Sequence, residues 1–437
     1  MQKIKQLLQI ARISLGPLFL ILTTPTAVML IWYTNTNMEG SLSKLWQLIE
    51  TLGFLPLIYS IWQPLILGSQ TAWAMIAIFM VFQLALMRLL PGKVFYGPLT
   101  PKGNTPVYKA NGTLAFIVTM LSFCCCSFYL HWFEASIIYD NLGALLGALN
   151  LFSLVFCLFL YLKGRYAPSS TDFGSSGNFI FDYYWGMELY PKCLGWSLKM
   201  FIACRVGMMS WGLILLSYAA KQQELFGLSN SMLVSLALQF IYLTKFFLWE
   251  TGYLSSLDIM HDRAGYYICW GCLVWVPCVY TSPSMYLVLH PIHLNPLLAA
   301  SIFIAGAICI SINYLADRQR QRVRITQGQC TIWGKKPLTT LATYQTEKGD
   351  IKQNLLLASG WWGISRHFHY IPEIIGAFFW SVPALFTHFM PYFYVCFLTI
   401  LLLDRAYRDE KRCSIKYGKY WKQYCERVPY KIVPYLI

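Results

Sequence analysis

Residues 245–289 read KFFLWETGYLSSLDIMHDRAGYYICWGCLVWVPCVYTSPSMYLVL, and the two halves of that stretch decide the fold. From Tyr266 to Leu289 no Asp, Glu, Lys or Arg interrupts the run, which is long enough to cross a bilayer core of about 20 helical residues. Just before it, Glu250, Asp258, His261, Asp262 and Arg263 crowd between two apolar segments. Ionisable groups set against membrane spans are costly, so they mark a pocket or a proton path by default.

The same alternation repeats along the chain. Apolar runs near 13–33, 70–90, 113–133, 141–162, 196–219, 231–249, 266–289, 297–315 and 374–403, with a proline-interrupted run near 50–68, predict nine or ten spans. The whole chain of 437 residues is 57% hydrophobic and only 12% charged. Soluble domains carry about 25% charged residues, so a soluble enzyme, a disulfide scaffold and a disordered chain are excluded. The expected fold is an all-α polytopic membrane protein of about ten transmembrane helices. It forms one integral-membrane domain over 1–437, whose part 316–437 ends in a cytosolic C-terminal tail.

The net charge of +15 is concentrated. Residues 316–352 hold eight Lys/Arg against three Asp/Glu, and residues 404–437 hold nine against four. With Lys3, Lys5 and Arg12, these stretches are expected to face the cytoplasm by the positive-inside rule. Nucleic-acid binding is not expected, because the basic stretches flank spans. The fourteen cysteines are scattered through apolar runs and behave as small hydrophobes.

Four segments hold candidate chemistry. Asp258, His261, Asp262 and Tyr266 share one helical face if their segment is helical, with Glu250 just upstream. In 317–324, DRQRQRVR, Arg320 and Arg324 stand one turn apart, and guanidinium forks match phosphate oxygens. The run 359–373, SGWWGISRHFHYIPE, offers rings to stack on a planar group. In the tail, Tyr417, Tyr420 and Tyr424 recur at helical spacing and either lie on the membrane surface or close over a nucleotide. No GxGxxG, P-loop or GxSxG motif occurs, and seven histidines form no HxxHH box, so neither a Rossmann site nor a metal is expected.

These segments carry long strings: YGPLTPKGN at 96–104, FDYYWGMELYP at 181–191, KFFLWETGY at 245–253, LLLASGWWGISRHFHY at 355–370 and RDEKRCSIKYGKYW at 408–421. The chain thereby resembles, over nearly its whole length, the sterol reductases of the ergosterol and cholesterol pathways, most closely the branch that reduces the C7–C8 bond of a Δ5,7-sterol. The resemblance implies NADPH as cofactor, with contacts from Arg320, Arg324, Leu357, Trp362, His369, Tyr370, Asp409, Cys413, Ser414, Ile415, Lys416, Tyr417 and Tyr424. It also implies a sterol substrate within the bilayer. Many members read Asn-Tyr then Gly-Asp where this chain has His369-Tyr370 then Pro372-Glu373.

An unactivated ring alkene accepts hydride only after protonation, so a proton donor and relay are required in a dry pocket. Glu250, Asp258, His261, Asp262, Tyr266 and Tyr280 are the candidates. Asp182, Tyr183, Trp185 and Glu188 are the expected substrate-side residues, their rings suited to positive charge. A Δ14- or Δ24(28)-reductase, a membrane methyltransferase and a non-catalytic sterol-binding scaffold remain open. The expected location is the endoplasmic reticulum in a eukaryote or the inner membrane in a bacterium.

Overall fold

The computed structural model describes residues 11–100, 102–345 and 349–436; Lys3 and Lys5 lie outside them. Among the described residues eight helices are long and apolar enough to span a membrane, fewer than the sequence suggested. They are α1 (Ala11–Asn37), α4 (Gln70–Leu89), α5 (Gly112–Tyr129), α6 (Leu142–Tyr166), α8 (Leu198–Phe226), α9 (Asn230–Leu248), α10 (Tyr266–Leu289) and α11 (Pro296–Ile325), with the short α7 (Phe179–Trp185) between α6 and α8. Their starts are written locally. Ser69 accepts from Ala72 N at 3.0 Å, and Asn295 accepts from Leu297 N at 2.9 Å ahead of Pro296, so orphan amides are satisfied by N-caps.

Two expected spans differ. The run near 50–68 belongs to a pair, α2 (Leu42–Leu52) and α3 (Phe54–Trp62), bent by 107° at Gly53, whose φ is +84°. Only a pair taken together raises the count to nine. The run 374–403 breaks into a hairpin of α12 (Tyr370–Ser381) and α13 (Phe393–Tyr417). Pro383 and Pro391 remove backbone donors there, and Leu385 takes a positive φ of 54°, which ends helical bonding. The two prolines mark the break in the sequence, and apolarity averaged over the run passes over them.

Two spans are wound unusually. Phe201–Met208 in α8 and Gly271–Tyr280 in α10 are π-helical, and they pack against each other. Pro277 lies inside the second and withholds one amide from regular α-bonding. Their approach is close: a Cβ on Gly207 would sit 2.9 Å from the Cys272 carbonyl oxygen.

Beyond the spans, β3 (Thr339–Gln345) and β4 (Ile351–Leu357) form an antiparallel hairpin, following a smaller one of β1 (Lys93–Tyr96) and β2 (Val107–Ala110). Helix α14 (Lys419–Arg427) follows α13 after Gly418, whose φ is +52°. Ala342, Leu356, Cys413, Tyr417, Trp421, Tyr424 and Val428 make a second small core. The tyrosine stripe of the tail therefore packs over the β3–β4 hairpin.

Candidate active site

One cavity of about 1030 Å³ runs from this small core into the helical bundle. Its wall has two ends of different chemistry. Seven Lys/Arg and four Asp/Glu line it, most of them supplied by α11, α13 and the segment before α12. Toward the bundle the wall becomes Leu20, Tyr184, Tyr266, Trp270, Trp275, Val276, Tyr280, Tyr394, Phe397 and Leu401.

The polar end is built on consecutive turns of α11. Arg320 lies 3.2 Å from Asp317 and rests its guanidinium 4.2 Å over the Trp362 ring. The Trp362 indole donates to Ala316 O at 2.7 Å, which locks the ring against the helix. His369 stacks next to it, its ring 4.9 Å from Trp362 and 4.3 Å from Tyr370. Burial and then the Arg320 charge push the His369 imidazole well below its usual range, so it is neutral. Lys416 sits 4.1 Å over the Tyr344 ring. Among the described residues neither Arg324 nor Lys416 has a carboxylate partner, yet both line the cavity. Burial raises the Asp409 carboxyl, but Arg412, His367 and Arg320 outweigh it and hold the group below its usual range.

Eleven of the thirteen expected cofactor residues line this cavity. Ser414 and Ile415 do not: they are exposed on the outer face of α13, Ile415 at 78%. The helix turns them away from the side that carries Cys413, Lys416 and Tyr417.

The acid candidates separate in the same way. Asp258, Tyr266 and Tyr280 line the cavity; Glu250, His261 and Asp262 do not. The shared helical face expected for 258–266 does not form, because the segment breaks into short turns at Glu250–Tyr253 and Leu257–Met260 before α10 begins. Glu250 instead accepts from Gly112 N at 2.8 Å, at the start of α5, and from buried Arg205 at 2.7 Å. A carboxylate there answers the helix's positive end. Asp258 accepts from Arg405 Nη2 at 2.6 and 2.7 Å, Asp262 from Arg408 at 3.3 Å, and His261 from Arg412. Tyr266 shares a hydrogen bond of 2.8 Å with Thr24, whereas the Tyr280 hydroxyl has no partner among the described residues.

None of the four expected substrate-side residues reaches the wall; their neighbour Tyr184 does. Asp182 is buried and accepts from Ser175 and from Ser176 N at 2.8 Å. Glu188 pairs with Lys163 at 2.7 Å and accepts from Ser169 N at 2.6 Å. Both carboxylates staple their own loop. Tyr183 donates to Leu154 O at 2.9 Å, and Trp185 stacks 5.7 Å from Tyr267 behind the wall.

Several lining groups escaped the sequence reading. Tyr242 donates to Glu373 at 2.7 Å, and Lys245 donates to Asn313, which in turn donates to His369 O at 2.8 Å. Arg405 and Arg412 also line the cavity. A Lys near the end of an apolar run was their one visible signal; the partners lie far away in sequence. Arg366, read as part of a ring-binding run, binds Glu410 at 2.7 Å and the carbonyls of Val428 and Pro429, so it ties the tail down. Among the described residues no three His, Cys, Asp or Glu converge as metal ligands.

The sequence that builds this pocket, with its cationic, ring-lined end and its apolar, aromatic end, is similar to known proteins. Residues 15–437 match the ergosterol biosynthesis ERG4/ERG24 family. The chain is 52% identical over 416 residues to the 7-dehydrocholesterol reductase of Arabidopsis thaliana, covering 94% of each protein. It is 39% identical over 371 residues to the Xenopus laevis protein of that name, covering 83% of this chain and 78% of that one. It is also 34% identical over 422 residues to the Delta(14)-sterol reductase of Methylotuvimicrobium alcaliphilum, covering 95% and 93%. The chain belongs to the ergosterol biosynthesis ERG4/ERG24 family and is a multi-pass membrane oxidoreductase of the sterol-reductase type.

Proposed function

We propose that this protein reduces the C7–C8 double bond of a Δ5,7-sterol with NADPH. The observation that carries the proposal is the single cavity with one cationic end and one apolar end. A sterol needs an apolar slot open to hydrocarbon side chains, and a dinucleotide phosphate needs cations in a ring-lined cleft. The resemblance to the two 7-dehydrocholesterol reductases supports the choice of bond.

The residues at the polar end fit the cofactor. Arg324 and Lys416 face the cavity without a carboxylate, which suits the phosphates of NADPH. Arg320, Trp362, His369 and Tyr370 form a contiguous set of flat groups that suits a planar ring, with neutral His369 in the place of the family's Asn. When bound, the cofactor supplies hydride.

The protein must supply the proton. Placing it on C8 leaves a cation on C7, allylic to the C5–C6 bond, and Tyr184, Tyr266 and Trp275 provide ring faces for that charge. Of the cavity-lining candidates, Asp258 is engaged by Arg405 and Tyr266 by Thr24. The unpartnered Tyr280 hydroxyl is the donor we assign, recharged from the polar end of the cavity. The apolar wall keeps water from the cation. We place the basic tail on the cytosolic side, in the endoplasmic reticulum of a eukaryote or the inner membrane of a bacterium.

The test uses purified protein, NADPH and 7-dehydrocholesterol, following loss of the diene absorbance and appearance of cholesterol. Turnover of a Δ8,14-sterol in place of the Δ5,7-diene would move the assignment to the Δ14 bond. No sterol turnover together with binding of S-adenosylmethionine would sink it.

A further inference from the structure

Asp258, His261 and Asp262 lie on the loop between α9 and α10, and each meets an arginine of α13. Arg405, Arg408 and Arg412, spaced at i, i+3 and i+7, share one helix face. The loop is pinned from behind by Lys199. This buried side chain donates to the carbonyl oxygens of Ile259, at 2.9 Å, and Asp262.

The three contacts are chemically unequal. Asp258 cancels the charge of Arg405, and Asp262 with Asp404 cancels that of Arg408. Arg412 lines the cavity, and among the described residues its one anionic partner is Asp409 on its own helix. What the loop gives Arg412 is the Nε2 of His261 as acceptor. A histidine accepting at Nε2 carries its proton on Nδ1 and is uncharged. Burial and then the Arg412 charge push His261 down to about 3, in keeping with that neutral form.

We propose that His261 is a positioning residue that holds the Arg412 guanidinium at the cavity wall without adding a second negative charge to that of Asp409, so that the site can still bind a phosphate of the cofactor. The inference rests on the NADPH reading above. A role in folding alone predicts something different. A carboxylate at 261 would hold Arg412 at least as firmly, as Asp258 holds Arg405, because charge-assisted bonds are the stronger ones. Only a requirement that no further negative charge join Asp409 beside Arg412 makes a neutral acceptor the better choice.

Three variants separate the two roles: His261→Leu removes the acceptor, His261→Asp charges it, and His261→Gln keeps a neutral one. NADPH binding to the purified protein is titrated by nicotinamide fluorescence, apart from turnover, with thermal unfolding as the control on folding. His261→Leu and His261→Asp should each weaken NADPH binding about tenfold, the scale of one charge-assisted hydrogen bond. His261→Gln should stay within about twofold, with the sterol KM unchanged in all three. His261→Asp binding NADPH as the wild type does, or His261→Gln failing with His261→Leu, overturns this inference alone. A wild-type protein that binds no NADPH overturns the cofactor reading and this inference with it.

Discussion

The two ends of the cavity are assembled by different means. The polar end is largely a product of short-range spacing: Asp317, Arg320 and Arg324 follow one another on α11, and Asp409, Arg412, Cys413 and Lys416 on α13. The apolar end depends on how α10 is wound. At about 100° per residue an α-helix would put Tyr280 on the side opposite Gly271. The wider π-turn, of about 4.4 residues, returns Gly271, Trp275 and Tyr280 to one stripe along the cavity. The comparison teaches that the cavity's charge is placed by helix periodicity, and its apolar shape by departure from it.

The contrast breaks most visibly at Tyr280. Tyr280→Phe should lower kcat by about 10²–10⁴, the usual worth of general acid catalysis, while NADPH binding by fluorescence titration stays unchanged. Full activity in that variant would remove the assigned donor. The next largest effect falls outside both ends. Glu250→Ala leaves Arg205 buried and unpaired and should cost about 3–5 kcal/mol of stability, seen as a lower unfolding temperature in detergent. An unaltered melt would mean that the pair only caps α5.

At the polar end, Arg320→Ala with Arg324→Ala should raise the KM for NADPH by about 10²-fold, since each guanidinium–phosphate contact is worth roughly 1.5–3 kcal/mol. Sterol binding should survive. An unchanged KM would detach the cations from the cofactor. At the apolar end the expected split is reversed. A Cβ on Gly271 would meet nothing within 4 Å, so the position opens onto free space, and Gly271→Leu should raise the sterol KM about tenfold without touching NADPH affinity. The smallest effect belongs to Ile415→Ala, whose exposed side chain should leave NADPH binding within about 0.5 kcal/mol of wild type by the same titration.

The sequence was read most faithfully where function is local. The Arg320–Arg324 turn and the Trp362–Tyr370 run were nominated from spacing and residue type, and both line the cavity. It was read least well where acids answer distant partners. Glu188, Glu250 and Asp262 look alike in sequence: carboxylates among aromatics near apolar runs. Their partners are 25 residues away for Glu188 and 146 for Asp262, and no periodicity records such a distance.

Composition alone determined that this is a helical membrane protein, because a chain with so little charge cannot cover itself with water. Helical spacing determined which cations stand together, since neighbours on one turn meet wherever the helix goes. Tertiary structure decided the π-winding of α8 and α10, and which acid is a staple and which faces the cavity. Those outcomes turn on packing between segments far apart in the chain, where the energy lies in contacts that neither segment makes by itself.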